Sequence, residues 1–218
     1  FIANWKMFGD LKAVNSIKRV IKISRNKKYK KTQIVYCPPY TLIDRFLRLV
    51  KNTKIKIGAQ NCHFSEKPGP FTGSINSDLI KSSGAKYVII GHSENRDSGD
   101  TNKIINLKIK SALKKKLKII FCIGETLKEK KNKKTNQVLA KQINNGLQSI
   151  KNKSKIILAY EPVWSIGTGL IPKSEDLIKS VSFIKDKFGK KCPKILYGGS
   201  VNSNNIDQLK DINILDGF

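Results

Sequence analysis

Glu161 stands at the end of an apolar run, Lys155-Ile-Ile-Leu-Ala-Tyr160, and is followed at once by Pro162-Val-Trp-Ser-Ile-Gly-Thr-Gly169. The run is short, β-branched and continuous, so it reads as a buried strand that delivers the carboxylate at its C-terminal end. Pro162 and Val163 stiffen one end of the following segment, and Gly167 and Gly169 free the other. That is the layout of a lid that closes as a body. A lone glutamate at a strand end is usually a salt-bridged structural group. A lid directly after it reverses that expectation, because a carboxylate shielded from water is a stronger base and can take a proton from carbon next to a carbonyl. His92 sits between Gly91 and Ser93-Glu94, at what reads as a helix N-terminus, where the imidazolium is disfavoured and a neutral, hydrogen-donating ring is favoured. Lys6 lies two residues after Asn4, on the same pleat face at the end of the first strand-like run, which sets it apart from the many lysines expected to be solvated. His63, the other histidine, lies in a long loop and reads as incidental.

The elements that must position these groups alternate without a break. Strand-like runs occur at Phe1–Ala3, Gln33–Cys37, Ile55–Gln60, Tyr87–Ile90, Lys118–Ile123, Ile156–Glu161, Ile195–Tyr197 and Ile214–Phe218. Between them lie helical patterns: Leu11, Val14, Ile17 and Ile21 after the capping candidate Asp10, and Leu177, Val181, Ile184 and Phe188 after Ser174. Strand, helix, strand, helix argues for parallel βαβ units, and eight strand signals suit a barrel better than an open sheet. The chemistry-bearing residues fall just after strands, where the active sites of such barrels lie. No linker or second domain is apparent, so residues 1–218 are expected to form one α/β domain. The connection Asn61–Asn76 is unusually long and carries Pro68-Gly-Pro70 and Phe71-Thr-Gly73, a functional loop by composition.

The formal net charge of +27 is far above the roughly 2–8 suited to a small domain. Arginine occurs only at positions 19, 25, 45, 48 and 96, and the lysine clusters Lys27-Lys28, Lys114–Lys116 and Lys128–Lys134 fall in different inferred loops and helix ends. A nucleic-acid-binding module calls for arginine- and aromatic-rich exposed faces, so a compositional drift toward lysine is the better account. A positive field still draws in a small phosphate dianion. No apolar run is long enough to span a bilayer and no signal-peptide pattern is present, so a cytoplasmic location with no membrane partner is expected. Cys37, Cys62, Cys122 and Cys192 have neither disulfide-framework nor zinc spacing and read as small buried apolar residues, with no metal site.

Six separated motifs then carry a resemblance. Asn4-Trp-Lys-Met7, Ala59-Gln-Asn61, Ile90-Gly-His-Ser-Glu94, Cys122-Ile-Gly-Glu125, Tyr160-Glu-Pro-Val-Trp164 and Tyr197-Gly-Gly-Ser-Val201 resemble, in order, strand ends of the triosephosphate isomerase family. The resemblance implies a (β/α)8 barrel whose chain starts within strand 1 and stops with strand 8 incomplete and the last helix missing. It implies a cofactor-free aldose–ketose isomerase of glycolysis and gluconeogenesis that interconverts dihydroxyacetone phosphate and glyceraldehyde 3-phosphate through an enediolate. A related barrel acting on another phosphosugar is a rival that the shared catalytic set argues against.

By the same resemblance Glu161 is the base, His92 shuttles protons between the oxygens, and Lys6 with Asn4 holds and stabilises the enediolate. Glu94 supports Lys6 and His92, Ile166 forms one wall of an apolar clamp over the base, and Cys122 and Glu125 are structural. Amides of Gly167 and Ser200 are expected to receive the phosphate. The family's diglycine after strand eight and the second clamp wall would follow Phe218, so residues 1–218 alone are expected to be inactive. Loop 61–76 is expected to make a homodimer, with Thr72 reaching the neighbour's catalytic groups; Ser74 and Asn95 replace an acidic residue and an arginine common in the family. Pro172, which lacks an N–H, stands where the family donates a lid hydrogen bond to the tyrosine matching Tyr197. Tyr197 is therefore expected to contribute little to closure, leaving Ser200 to hold the lid near Gly169.

Overall fold

Each strand of the chain is only three to six residues long. The computed structural model describes residues Phe1 to Phe218. The strands are β1 Ile2–Asn4, β2 Val35–Cys37, β3 Lys56–Ala59, β4 Tyr87–Ile90, β5 Lys118–Ile123, β6 Ile156–Tyr160 and β7 Lys194–Tyr197. Strands β1 to β4 run parallel to their neighbours, as do β6 and β7. The helices are α1 Ile17–Ser24, α2 Ile43–Val50, α3 Ser77–Ser82, α4 Ser93–Asp97, α5 Asn102–Lys114, α6 Leu127–Lys131, α7 Thr135–Gly146, α8 Ser174–Asp186 and α9 Ile206–Lys210. No helix is long and apolar enough to cross a membrane.

The chain forms two compact units, one of residues 1–90 with 107–119, the other of 91–106 with 120–218. In the first, β1, β2, β3 and β4 pair in sequence order with Asn4 opposite Cys37 and Gly58 opposite Tyr87. A Cβ at Gly58 would lie 2.8 Å from the Tyr87 Cβ and 2.9 Å from Cys37 Sγ, so glycine permits this close strand approach. Phe46 of α2 is fully buried and packs edge-on to Trp5 with ring centroids 5.1 Å apart. In the second unit β6 and β7 pair from Ile157 opposite Lys194 to Tyr160 opposite Tyr197. Leu177, Val181 and Ile184 of α8 are fully buried, the helical stripe the sequence pattern predicts. All four residues of β4, Tyr87 and three aliphatics, are buried on both faces, as parallel strands under helices must be.

Several expectations are corrected. The first helical pattern does not start after Asp10: its carboxylate accepts the Ala13 N–H at 2.9 Å, a 3-10 turn covers Ala13–Ser16, and α1 begins at Ile17. Leu11 thus precedes the periodic segment and is exposed. The second pattern does begin at Ser174, the first residue of α8, but Phe188 lies beyond the helix, half-buried. The run Ile214–Phe218 makes no strand but a single bridge, Leu196 to Gly217, flanked by Tyr197 N–H to Gly217 O and Asp216 N–H to Ile195 O. The Asp216 carboxylate takes the Ile195 N–H itself at 2.8 Å, a side-chain acceptor standing where a ladder carbonyl would. Three cysteines are buried, but Cys192 is only half-buried.

Candidate active site

The second unit gathers Glu161 and His92. β6 ends at Tyr160, and the Glu161 N–H is held by Ile123 O of β5 at 2.8 Å, so the carboxylate projects directly from the strand end. Two glycines make room for it. A Cβ at Gly198 would lie 2.5 Å from Glu161 Cγ and 2.6 Å from Oε1, and one at Gly124 would collide with the Glu161 carbonyl. Its Oε2 lies 3.7 Å from His92 Nε2, with the two side chains 14% and 6% exposed.

His92 caps α4: its Nδ1 accepts the Glu94 N–H at 3.3 Å. A nitrogen that accepts an N–H carries no proton, so the geometry selects the tautomer with hydrogen on Nε2, the nitrogen facing Glu161. The Glu94 carboxylate lies 3.7 Å from His92 Nδ1. Gly91, before the histidine, has φ +79°, a left-handed turn that suits glycine.

Arg96, which the sequence offered only as one of five arginines, fixes this turn. Its Nε donates to Gly91 O at 2.7 Å, Nη1 to Asn102 Oδ1 at 2.8 Å and Nη2 to Cys122 O at 3.2 Å. Burial pulls its guanidinium pKa downward. Three donors in a rigid fork thus tie the peptide before His92 to the end of β5.

The lid is anchored at both ends. At its start, Trp164 Nε1 donates to Glu125 at 3.0 Å, while the Lys130 ammonium sits 4.0 Å from the Trp164 ring centroid. Glu125 is buried and also accepts from Tyr160 OH at 3.1 Å; desolvation holds its carboxyl above the usual range, against those hydrogen bonds. Toward the tip, Gly167 and Gly169 are left-handed, with φ +70° and +76°. The Gly169 N–H donates to Ser200 Oγ at 3.1 Å. Ser200 N–H and Oγ both donate to Ser165 O, at 3.2 and 2.6 Å, so the expected phosphate donor is engaged within the protein. Ile166 is half-buried. Tyr197, fully buried, does have a lid partner: its hydroxyl lies 3.3 Å from Ser165 Oγ.

The first unit holds Asn4 and Lys6, and here the pleat argument fails. β1 stops at Asn4, and Lys6 lies in a turn with φ +49°, uncommon for a residue with a Cβ. Asn4 Oδ1 accepts the Lys6 N–H at 3.0 Å, and Gln60 Nε2 donates to Lys6 O at 2.8 Å and Cys37 O at 2.9 Å. Gln60 was visible only as the middle of a short motif, yet it over-determines this conformation, whose cost is of order 1–3 kcal/mol. Thr72 is exposed near the tip of loop 61–76. His63 is not incidental there: its ring lies 4.3 Å from Phe64 and 4.4 Å from Phe71 by centroids, and its Nδ1 accepts the Ser65 N–H.

Parallel βαβ units that place a glutamate and a histidine at strand ends, beside a glycine-bearing loop, fit the class of barrel enzymes that move protons at carbon. Comparison with known proteins gives the family. A family model described as triosephosphate isomerase matches residues 1–218. The chain is 43% identical to the triosephosphate isomerase of Dictyoglomus thermophilum, over 99% of this chain and 90% of that protein. It is 40% identical to that of Saccharomyces cerevisiae, over 99% and 89%. The crystal structure of triosephosphate isomerase from Bartonella henselae superimposes with a TM-score of 0.88 at 33% identity, covering 100% of this chain and 89% of that one. The chain belongs to the triosephosphate isomerase family and has its (β/α) barrel fold. It is an isomerase, and the family reaction is the interconversion of dihydroxyacetone phosphate and glyceraldehyde 3-phosphate in glycolysis.

Proposed function

We propose that residues 1–218 belong to a single barrel domain, in which Glu161 removes the proton from the hydroxymethyl carbon of dihydroxyacetone phosphate. As the C–H bond breaks, His92 Nε2–H donates to the carbonyl oxygen, then recovers a proton from the neighbouring hydroxyl; Glu161 returns its proton to the adjacent carbon. The Lys6 ammonium stabilises the enediolate charge, Asn4 orients the reacting oxygens, and the Glu94 main-chain N–H supports His92 by keeping its Nδ1 an acceptor. Triosephosphate isomerases are themselves the reference case for a neutral histidine electrophile, so that point is inherited from the family. Gly167 and Ser200 supply amides to the phosphate, Ser200 exchanging the Ser165 oxygen for a phosphate oxygen, and Ile166 covers the base.

The observation that carries this reading is the 3.7 Å approach of His92 Nε2 to Glu161 Oε2 while Nδ1 accepts an N–H. Glu161→Gln tests it: geometry and phosphate binding are retained while proton abstraction is lost, so kcat in a coupled assay should fall by orders of magnitude. Turnover within a few-fold of the parent would remove Glu161 from the role.

We infer also a homodimer through loop 61–76, with Thr72 approaching the neighbour's site, in the cytoplasm. Phe64 and Phe71 in that loop are exposed, as are Met7 and Phe8 after β1, a set of large apolar side chains that a second copy would cover. Ser74 and Asn95 make that interface less charged than is common in the family.

A further inference from the structure

Ser165 lies four residues after the base and just before the lid tip, and its side chain is fully buried. Its N–H closes the short turn onto Pro162 O at 2.8 Å, and its carbonyl receives both donors of Ser200. Its hydroxyl has a separate partner in another element: the Tyr197 phenol at the end of β7, itself fully buried, at 3.3 Å. The fold keeps space for this meeting. Gly199 passes so close that a Cβ there would collide with both Ser165 Oγ and Tyr197 OH. Burial raises the Tyr197 pKa, and the bond to Ser165 opposes that rise.

We propose that Ser165 Oγ and Tyr197 OH form a two-hydroxyl clasp that makes Ser165 a positioning residue for the reaction. The clasp joins the lid's first arm to the end of β7, the strand whose following residue, Gly198, lies against the Glu161 carboxylate. It therefore sets where the lid leaves β6 and where the base stands. Pro172 offers no N–H to Tyr197 from the far arm of the lid, so the near arm supplies its partner. At 3.3 Å the bond is long for two hydroxyls at rest and has room to tighten when the site closes.

The test is a double-mutant cycle of Ser165→Ala and Tyr197→Phe, reading kcat and KM, inorganic phosphate released per turnover, and melting temperature. Phosphate release reports lid positioning because an enediolate left uncovered breaks its C–O bond, expelling phosphate with the enediolate electron pair. A net hydrogen bond corresponds to about a two- to tenfold effect. Each single change should lower kcat by that factor, with KM nearly unchanged and phosphate per turnover raised. The double variant should be no worse than the more affected single one. Independent, multiplying losses would overturn the clasp, as would a Ser165→Ala enzyme with parental kcat and parental phosphate release. A lowered melting temperature with unchanged phosphate release would make Ser165 merely structural. If Ser165→Ala does not fold, Tyr197→Phe alone decides, since it deletes one oxygen: parental phosphate release refutes the proposal.

Discussion

Replacing Arg96 should damage stability and turnover together, and the size of each effect follows from the three acceptors it serves. Arg96→Met removes donors from Gly91 O, Cys122 O and Asn102 Oδ1 and leaves two main-chain carbonyls inside the protein without them. Each such loss costs about 1–3 kcal/mol, so the two carbonyls together cost about 3–5 kcal/mol near the middle of that range. For a chain of this length that corresponds to a fall in Tm of roughly 6–20 °C. The Gly91 carbonyl belongs to the peptide that carries His92, so its release displaces the ring. A displacement of about 1 Å at a reacting group costs on the order of 10²-fold in rate. Arg96→Lys keeps the charge but lacks the fork, and should recover only part of either loss. Calorimetry and a coupled assay from glyceraldehyde 3-phosphate read both quantities. An Arg96→Met enzyme melting within about 2 °C of the parent with kcat within about threefold would refute the reasoning.

Gly198→Ala inserts a methyl against the Glu161 carboxylate and should cost on the order of 10²-fold in kcat while the chain still folds; full activity would mean the base is not confined there. Burial raises the Glu125 carboxyl pKa, so the stability this group contributes is greatest below its unfolded value and is lost as pH rises through the folded one. Glu125→Gln does not titrate, so its Tm relative to the parent should climb from about pH 4 toward neutrality, and a flat or falling difference refutes the assignment. Phe71→Asp places a charge on the exposed aromatic loop and should shift sedimentation from dimer to monomer; an unchanged sedimentation coefficient would place the interface elsewhere.

What the sequence showed and what it hid divide along a physical line. Glu161 and His92 stand where strong local signals meet, a β-branched run against a glycine-hinged loop and a glycine against a helix start, so their neighbours in sequence are enough to expose them. Arg96 and Gln60 act on carbonyls 26 and 54 residues away, and no periodicity or composition marks such a bond. Lys6 is singled out in the sequence on an argument that the structure does not support. A pleat was assumed where the chain turns left-handed, a conformation imposed by Asn4 and Gln60 rather than by the lysine's own preference. Leu11 and Ile214–Phe218 failed because apolar residues at the right spacing do not by themselves fix where an element starts or whether its ladder forms. Asp10 and Asp216 both spend a carboxylate on a nearby or facing backbone N–H and so redirect the chain.

The two tryptophans have unlike surroundings. Trp5 packs tilted against Tyr36 and edge-on to Phe46, while Trp164 opens the lid between the Glu125 carboxylate and the Lys130 ammonium. An indole bracketed by opposite charges changes its emission when either moves, so the protein carries its own optical gauge of hinge motion. With Trp5 replaced by phenylalanine, fluorescence after rapid mixing with a phosphate-bearing ligand would time the lid in solution without an attached dye.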